Sequence, residues 1–136
     1  MSAEFVDTNV LIYAHDGGAG RKQEASIELI GRLFEERSGA LSTQVLAEFY
    51  SAATKKLSMP SQEAEQAVAD LGGWIIHRPN HADLLSAARL HRRYGMAWWE
   101  ALMLRSAQAL GCRLLWSEDF SDGQRFGAVT VRNPFR

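Results

Sequence analysis

Very short apolar runs alternate along this chain with longer segments of helical period, and this alternation narrows the choice of fold more than any other feature. Glu4-Phe5-Val6, Ala40-Leu41-Ser42, Trp74-Ile75-Ile76, Arg113-Leu114-Leu115-Trp116 and Val129-Thr130-Val131 read as strands. Between them, residues 8–14, 21–37, 43–57, about 61–71, 80–94 and 97–110 carry apolar side chains at helical spacing. In residues 21–37 these are Ala25, Leu29, Leu33 and Phe34. Pro60 and Ser61 open one helix, Asn80 with Asp83 caps another, and Gly95 and Gly111 stop the last two. Short strands that alternate with helices predict an α/β fold: a small parallel sheet covered on both faces.

The chain has 136 residues, enough to bury a core without disulfides or a structural metal, and one domain over residues 1–136 is expected. Its 46% hydrophobic and 23% charged residues exclude a disordered or low-complexity chain. Fifteen basic against sixteen acidic residues leave a net charge of −1. Bulk charge therefore cannot grip nucleic acid or an anionic membrane, although a local basic patch still can. The single thiol, Cys112, cannot form an internal disulfide, and a cytoplasmic setting is expected. The opening MSAEFVDTNVLIYAHD lacks a basic leader and Asp7 breaks its apolar run, so it does not read as a signal peptide. No run of eighteen apolar residues reads as a membrane span.

Four acidic residues stand where a fold alone would not obviously put them. Asp7 directly follows the first strand, and Asp119 follows the strand ending at Trp116 after two polar residues. Ligands of doubly wound sheets bind beyond the carboxyl ends of the strands. If these two strands are neighbours, both carboxylates face one crevice. Glu48 has Val45 three residues before it and Ala52 four after, so it borders the apolar side of its helix. Glu100 lies in a helix that is apolar nearly all round and shares a stripe with Leu104 and Ala107, which predicts a buried carboxylate. Each residue alone also has a plain structural reading, as a cap, a loop acid or a first-turn carboxylate facing the helix dipole. The functional argument comes from the four together.

At this point the sequence resembles a known family. Phe5-Val6-Asp7-Thr8-Asn9-Val10-Leu11-Ile12-Tyr13 resembles the opening of PIN-domain nucleases. Gln44-Val45-Leu46-Ala47-Glu48-Phe49-Tyr50 is similar to the family's second motif and Tyr94-Gly95-Met96-Ala97-Trp98-Trp99-Glu100-Ala101-Leu102-Met103 to its third. Leu114-Leu115-Trp116-Ser117-Glu118-Asp119-Phe120 is similar to its fourth, and Val131-Arg132-Asn133-Pro134-Phe135 to its last strand. The subgroup it looks most like is VapC, the toxins of bacterial toxin–antitoxin pairs. That resemblance implies a three-layer α/β/α sandwich and a homodimer. It implies a ribonuclease whose Mg²⁺ or Mn²⁺ is held by Asp7, Glu48, Glu100 and Asp119 and whose cut leaves a 5′-phosphate and a 3′-hydroxyl. It also implies neutralisation by a cognate VapB-type antitoxin. Two departures stand out: Glu100 occupies a position usually held by Asp, and Ala97 one often held by Ser.

The residue types suit that chemistry. Hard dications prefer oxygen ligands, and Asp and Glu without Cys or His supply them. Asp7 and Asp119 are assigned as primary ligands, completed by Glu48 and Glu100. Thr8, Asn9 and Ser117 can orient those ligands or bind phosphate. For RNA, Arg89, Arg92 and Arg93 share one helix face, Lys55 and Lys56 end another helix, and Trp98 or Trp99 can stack on a base. The same basic residues also suit helix C-termini, and one tryptophan is expected in the core or at a dimer contact. Glu118 is expected to be exposed. Zinc is disfavoured, because Pro79 breaks the helix that would align His77 with His81. His15 reads as a surface residue, and Cys112 as a small core residue, not a nucleophile. No Walker or GxGxxG loop occurs.

Two other readings stay open. One is a PIN-fold module that binds nucleic acid or antitoxin without cutting. The other is a haloacid-dehalogenase-like phosphatase. That family wants a second Asp two residues after the first, where this chain has Asn9.

Overall fold

The structure, a computed structural model, describes residues 2–136. Its strands are β1 (Glu4–Val6), β2 (Gly39–Ser42), β3 (Ile75–His77), β4 (Leu114–Trp116), β5 (Arg125–Phe126) and β6 (Val129–Arg132). Its helices are α1 (Thr8–Ala14), α2 (Arg21–Glu36), α3 (Thr43–Lys56), α4 (Ser61–Asp70), α5 (His81–Tyr94) and α6 (Trp98–Ala109). They build one sheet in the order β3-β2-β1-β4-β6-β5, flanked by helices. Every pairing is parallel except the hairpin β5–β6. The expected α/β fold with a small, mainly parallel central sheet is what forms.

The order places β1 centrally, between β2 and β4. Phe5 and Val6 are fully buried, as are Ala40 and Leu41 of β2 and Leu115 of β4. Leu33 of α2 and Phe49 of α3 pack into the same core. β2 is buried along its whole length, whereas β4 and β6 alternate buried residues with less covered ones, so that end of the sheet is fully covered on one face only.

Local chemistry sets the element ends. Ser42 Oγ accepts a hydrogen bond from the Val45 amide (3.2 Å) and starts α3. Asn80 and Asp83 form a reciprocal capping box at the start of α5, and Gly95, at φ 68°, ends it. Asp83 is buried between Arg105 of α6 (3.0 Å) and His77 of β3 (3.3 Å), and His77 also meets Ser106 (2.8 Å). His77 is thus committed to a network joining three elements, while His81 is exposed.

Three elements differ from the sequence reading. β3 begins at Ile75, not Trp74, because the Trp74 amide closes a turn onto the Leu71 carbonyl (3.0 Å) and its ring lies over Gly39. β5, two residues long and paired antiparallel with β6, has too little sequence to show a period. The third is the start of α6. Ala101 to Leu104 are buried there, but Glu100 is only half-buried and Trp99 is 58% exposed. The expected burial of Glu100 is therefore wrong. The first turn of α6 projects past the core edge, so that Trp99, Glu100 and Met103 line a cleft while Leu104 and Ala107 stay in the interior.

Candidate functional site

β1 and β4 run side by side with Val6 opposite Trp116, so the residues that follow them emerge together. The Asp7 amide donates to the Trp116 carbonyl (3.0 Å), which continues the pairing one residue past β1. Asp7 caps α1, and its carboxylate accepts from the Asn9 amide (3.4 Å). Ser117, fully buried, donates to Asp7 Oδ2 (2.6 Å), and its Oγ accepts from the Asp119 amide (3.1 Å). Asn9 Nδ2 donates to Asp119 Oδ2 (3.1 Å). Ser117 and Asn9 thus fix both aspartates to one another's loops.

Asp7, Glu48, Glu100 and Asp119 all line one cleft of about 410 Å³, with Thr8, Asn9, Gln44, Lys55, Lys56 and Trp99 around them. Glu48 Oε1 accepts from Gln44 Nε2 (2.9 Å) and lies 3.5 Å from Thr8 Oγ1. Glu100 Oε1 reaches back to the amide of Ala97 (3.3 Å), in the plain capping role. Among the described residues, no three His, Cys, Asp or Glu side chains gather tightly enough to enclose an ion by themselves. The four carboxylates share a cleft but do not form a closed ligand shell.

The electrostatics single out Asp7. Burial pushes its carboxyl up to about 7, against the hydrogen bond from Ser117, and the nearby Asp119 charge pushes in the same direction. No Lys, Arg or His side chain pairs with Asp7, Glu48, Glu100 or Asp119 among the described residues. Burial also raises Glu48, against the hydrogen bonds from Gln44 and Thr8. An all-oxygen donor set around a buried carboxylate that lacks a counter-charge suits a hard dication.

Not every residue singled out from the sequence joins the cleft. Arg89, Arg92 and Arg93 are exposed on α5 and do not line it, whereas Lys55 and Lys56 do. Trp98 packs against Ala87, Ala101 and Leu102 beside the core, leaving Trp99 as the cleft tryptophan. Glu118, expected to be exposed, is mostly covered: Tyr13 Oη donates to it and Lys22 pairs with it at 2.8 Å. Burial opposes its charge, but Lys22 and Tyr13 outweigh that and hold its carboxyl below the usual range. Cys112 is buried, its thiol pushed up to about 11 by that burial, and His15 is exposed. Gln44 went unassigned in the sequence. It also donates to the Trp99 carbonyl (3.2 Å), tying α3 to α6 across the cleft. Its position four residues before Glu48 on one helix was the available signal.

This arrangement defines a class of small α/β proteins whose ligand cleft, at the carboxyl ends of two central strands, is walled by carboxylates. More specifically, residues 5–121 match the family model of the PIN domain, and the chain belongs to that family. Several solved structures share the fold. A toxin–antitoxin complex from Klebsiella pneumoniae is 17% identical, with 97% of this chain and 98% of that one covered, at a TM-score of 0.74. VapC20 of Mycobacterium tuberculosis, described as a sarcin-ricin loop cleaving toxin, is 16% identical over 88% of this chain and 92% of that one, at 0.69. DNA-bound VapBC from Salmonella typhimurium is 14% identical over 98% and 99%, at 0.68. No curated protein sequence matches the chain.

Proposed function

We propose that this chain is a metal-dependent endoribonuclease of the VapC toxin type, held inactive by a cognate VapB-type antitoxin. One observation carries the reading. Asp7, buried and without a cation, sits beside Asp119 at the ends of two adjacent central strands, in a cleft that also contains Glu48 and Glu100. Asp7 and Asp119 would hold Mg²⁺ or Mn²⁺, with Glu48 and Glu100 completing the set directly or through water. When bound, such an ion polarises phosphoryl oxygens, lowers the pKa of a coordinated water and steadies the leaving oxygen.

The remaining work falls to the chain's own groups. Ser117 and Asn9 keep the two aspartates in register. Lys55 and Lys56, on the α3 wall, attract the phosphates of an incoming strand into a cleft that is otherwise acidic. Gln44 fixes the Glu48 carboxylate against the α6 backbone.

The relatives' toxin–antitoxin complexes support an antitoxin partner. So does an apolar groove of about 340 Å³ between α1, α2 and α4, where Ile27 and Phe34 are exposed. A homodimer belongs to the same reading and is tested by light scattering. No helix among the described residues is long and apolar enough to cross a membrane, and a cytoplasmic location is part of the proposal.

The purified protein is expected to cut a structured RNA in Mn²⁺ or Mg²⁺ and to leave it whole in EDTA. Identical product patterns in both conditions overturn the reading. A specific observation favours a second reading, a PIN module that binds without cutting: one oxygen of Glu100 is engaged by the Ala97 amide. Glu100→Asp discriminates between them. If the longer side chain impairs the site, the shorter one raises the cleavage rate about tenfold or more. Binding of RNA by both proteins with no cleavage by either favours the module.

A further inference from the structure

A polyanion does not settle on a cleft walled by four carboxylates unless cations anchor it elsewhere. Lys55 and Lys56 supply two charges inside the cleft, and the molecule as a whole is net negative. One strongly basic surface has no role so far. It lies on the sheet face opposite the core side of Leu115, Val129 and Val131. By register, Leu114 stands beside Thr130 and Thr130 beside Arg125, while Trp116 stands beside Arg132. On this face α2 reaches β1, where Arg32 pairs with Glu4 (2.8 Å). Past Trp116 the face is left to Leu114, Thr130, Arg125 and Arg132.

Arg113, Arg125 and Arg132 surround a shallow concavity of about 390 Å³ there, together with Thr130. All three are exposed. None has a carboxylate within 4.0 Å among the described residues, and no acidic side chain lines the concavity. Three like charges gathered without a counter-ion are the positive mirror of the acidic cleft. The two sites are also linked through the backbone. The Arg132 carbonyl accepts from the Ser117 amide (2.9 Å), and Ser117 is the residue that holds Asp7. Arg132 does not line the cleft but is bonded through its backbone to the residue two before Asp119, and Arg125 lies two residues further down the sheet, about 7 Å along the strand direction.

We propose that Arg113, Arg125 and Arg132 form a second, phosphate-binding site that holds the backbone of the substrate RNA where it leaves the cleft and runs down the open face of β4, β6 and β5. The proposal rests on the ribonuclease reading for the identity of its ligand. Guanidinium groups suit it, because their planar forks bind phosphate oxygens in pairs. The site reads backbone, not bases, so it contributes affinity and direction of threading but no sequence preference.

The test is RNA binding in EDTA, which does not depend on cleavage. A fluorescein-labelled single-stranded RNA of about 20 nucleotides is titrated by anisotropy between about 50 and 200 mM salt. The triple variant Arg113→Gln/Arg125→Gln/Arg132→Gln is compared with wild type and with the triple Lys variant. Each lost phosphate contact removes about 0.7 from the slope of log K against log salt. The Gln variant is expected to lose about 2 from that slope and tenfold or more in affinity at the lowest salt, while the Lys variant keeps most of the slope. Unchanged slope and affinity in the Gln variant, with its circular dichroism intact, overturn the proposal. Retained RNA binding with weakened antitoxin binding overturns it too and gives the patch to a protein partner. If wild type binds RNA with a steep salt slope but never cuts it, the ribonuclease reading falls and the phosphate site stands.

Discussion

Asp7→Asn is expected to lower RNA cleavage by about 10³-fold or more, the scale on which removing one member of a catalytic unit acts, and to make the metal-free protein more stable at alkaline pH. The second effect separates loss of function from loss of fold. Asn keeps the side-chain acceptor that caps α1 and can still meet Ser117. What it removes is a buried negative charge held close to Asp119. In the folded protein the Asp7 carboxyl titrates at about 7, well above its value in an unfolded chain, 3.8. A carboxyl raised on folding contributes stability that is fully present below the unfolded pKa and is lost as pH rises through the folded one. The metal-free wild type therefore weakens between about pH 4 and pH 8, by roughly 2–4 kcal/mol from this group. The variant lacks that decline. Scanning calorimetry in EDTA is expected to show the variant melting several degrees above wild type at pH 8 and the difference closing by pH 4. Saturating Mn²⁺ restores the wild type at pH 8 and leaves the variant unmoved. A variant that melts below wild type at pH 8 would show that Asp7 is a structural cap and not a site carboxylate.

The second large effect lies in the core. A methyl group at Gly39 would sit 2.4 Å from the six-membered ring of Trp74, against three of its atoms. Gly39 opens β2, Trp74 is 8% exposed, and the ring is part of the main core. A rigid indole packed on a strand cannot yield as a flexible side-chain tip can. Gly39→Ala is expected to cost about 1–3 kcal/mol as an overpacking substitution, and Gly39→Val more. Urea denaturation reads the loss as a lower midpoint at unchanged slope. Trp74→Leu in the Gly39→Ala background recovers part of it, since the clash goes with the ring, while Trp74→Leu alone destabilises by leaving a cavity. Additive losses in the double variant would show that the two residues do not press on one another.

The site's main axis was legible in the sequence for a physical reason. Asp7 and Asp119 each follow a short apolar strand, and parallel α/β sheets gather such positions at one edge. Glu48 was legible from helical spacing, because it borders the buried face of Val45 and Phe49. Glu100 was misjudged because apolar neighbours in a helix show that the helix is covered somewhere, but not where its cover ends. The sequence could not say which of Trp98 and Trp99 is core; Trp98 packs beside it and Trp99 is cleft wall. Glu118 was misjudged because its partners, Tyr13 and Lys22, lie about a hundred residues away in the chain, and no local pattern carries that pairing. The arginine patch was invisible for the same reason. Arg113, Arg125 and Arg132 meet only once β5 folds back on β6.

The strand order has a bearing on how the protein is made. β1 is synthesised well before its neighbour on the Asp119 side, β4, which is separated from it by more than a hundred residues. A nascent chain thus presents Asp7, Glu48 and Glu100 before the segment that turns them into one site, and Ser117 and Asp119 emerge after all three. An incomplete translation product that stops short of β4 carries three of the four carboxylates and has no means of bringing them to bear. If the proposed activity is harmful to its host, the topology itself withholds that activity until β4 and the loop after it have been made.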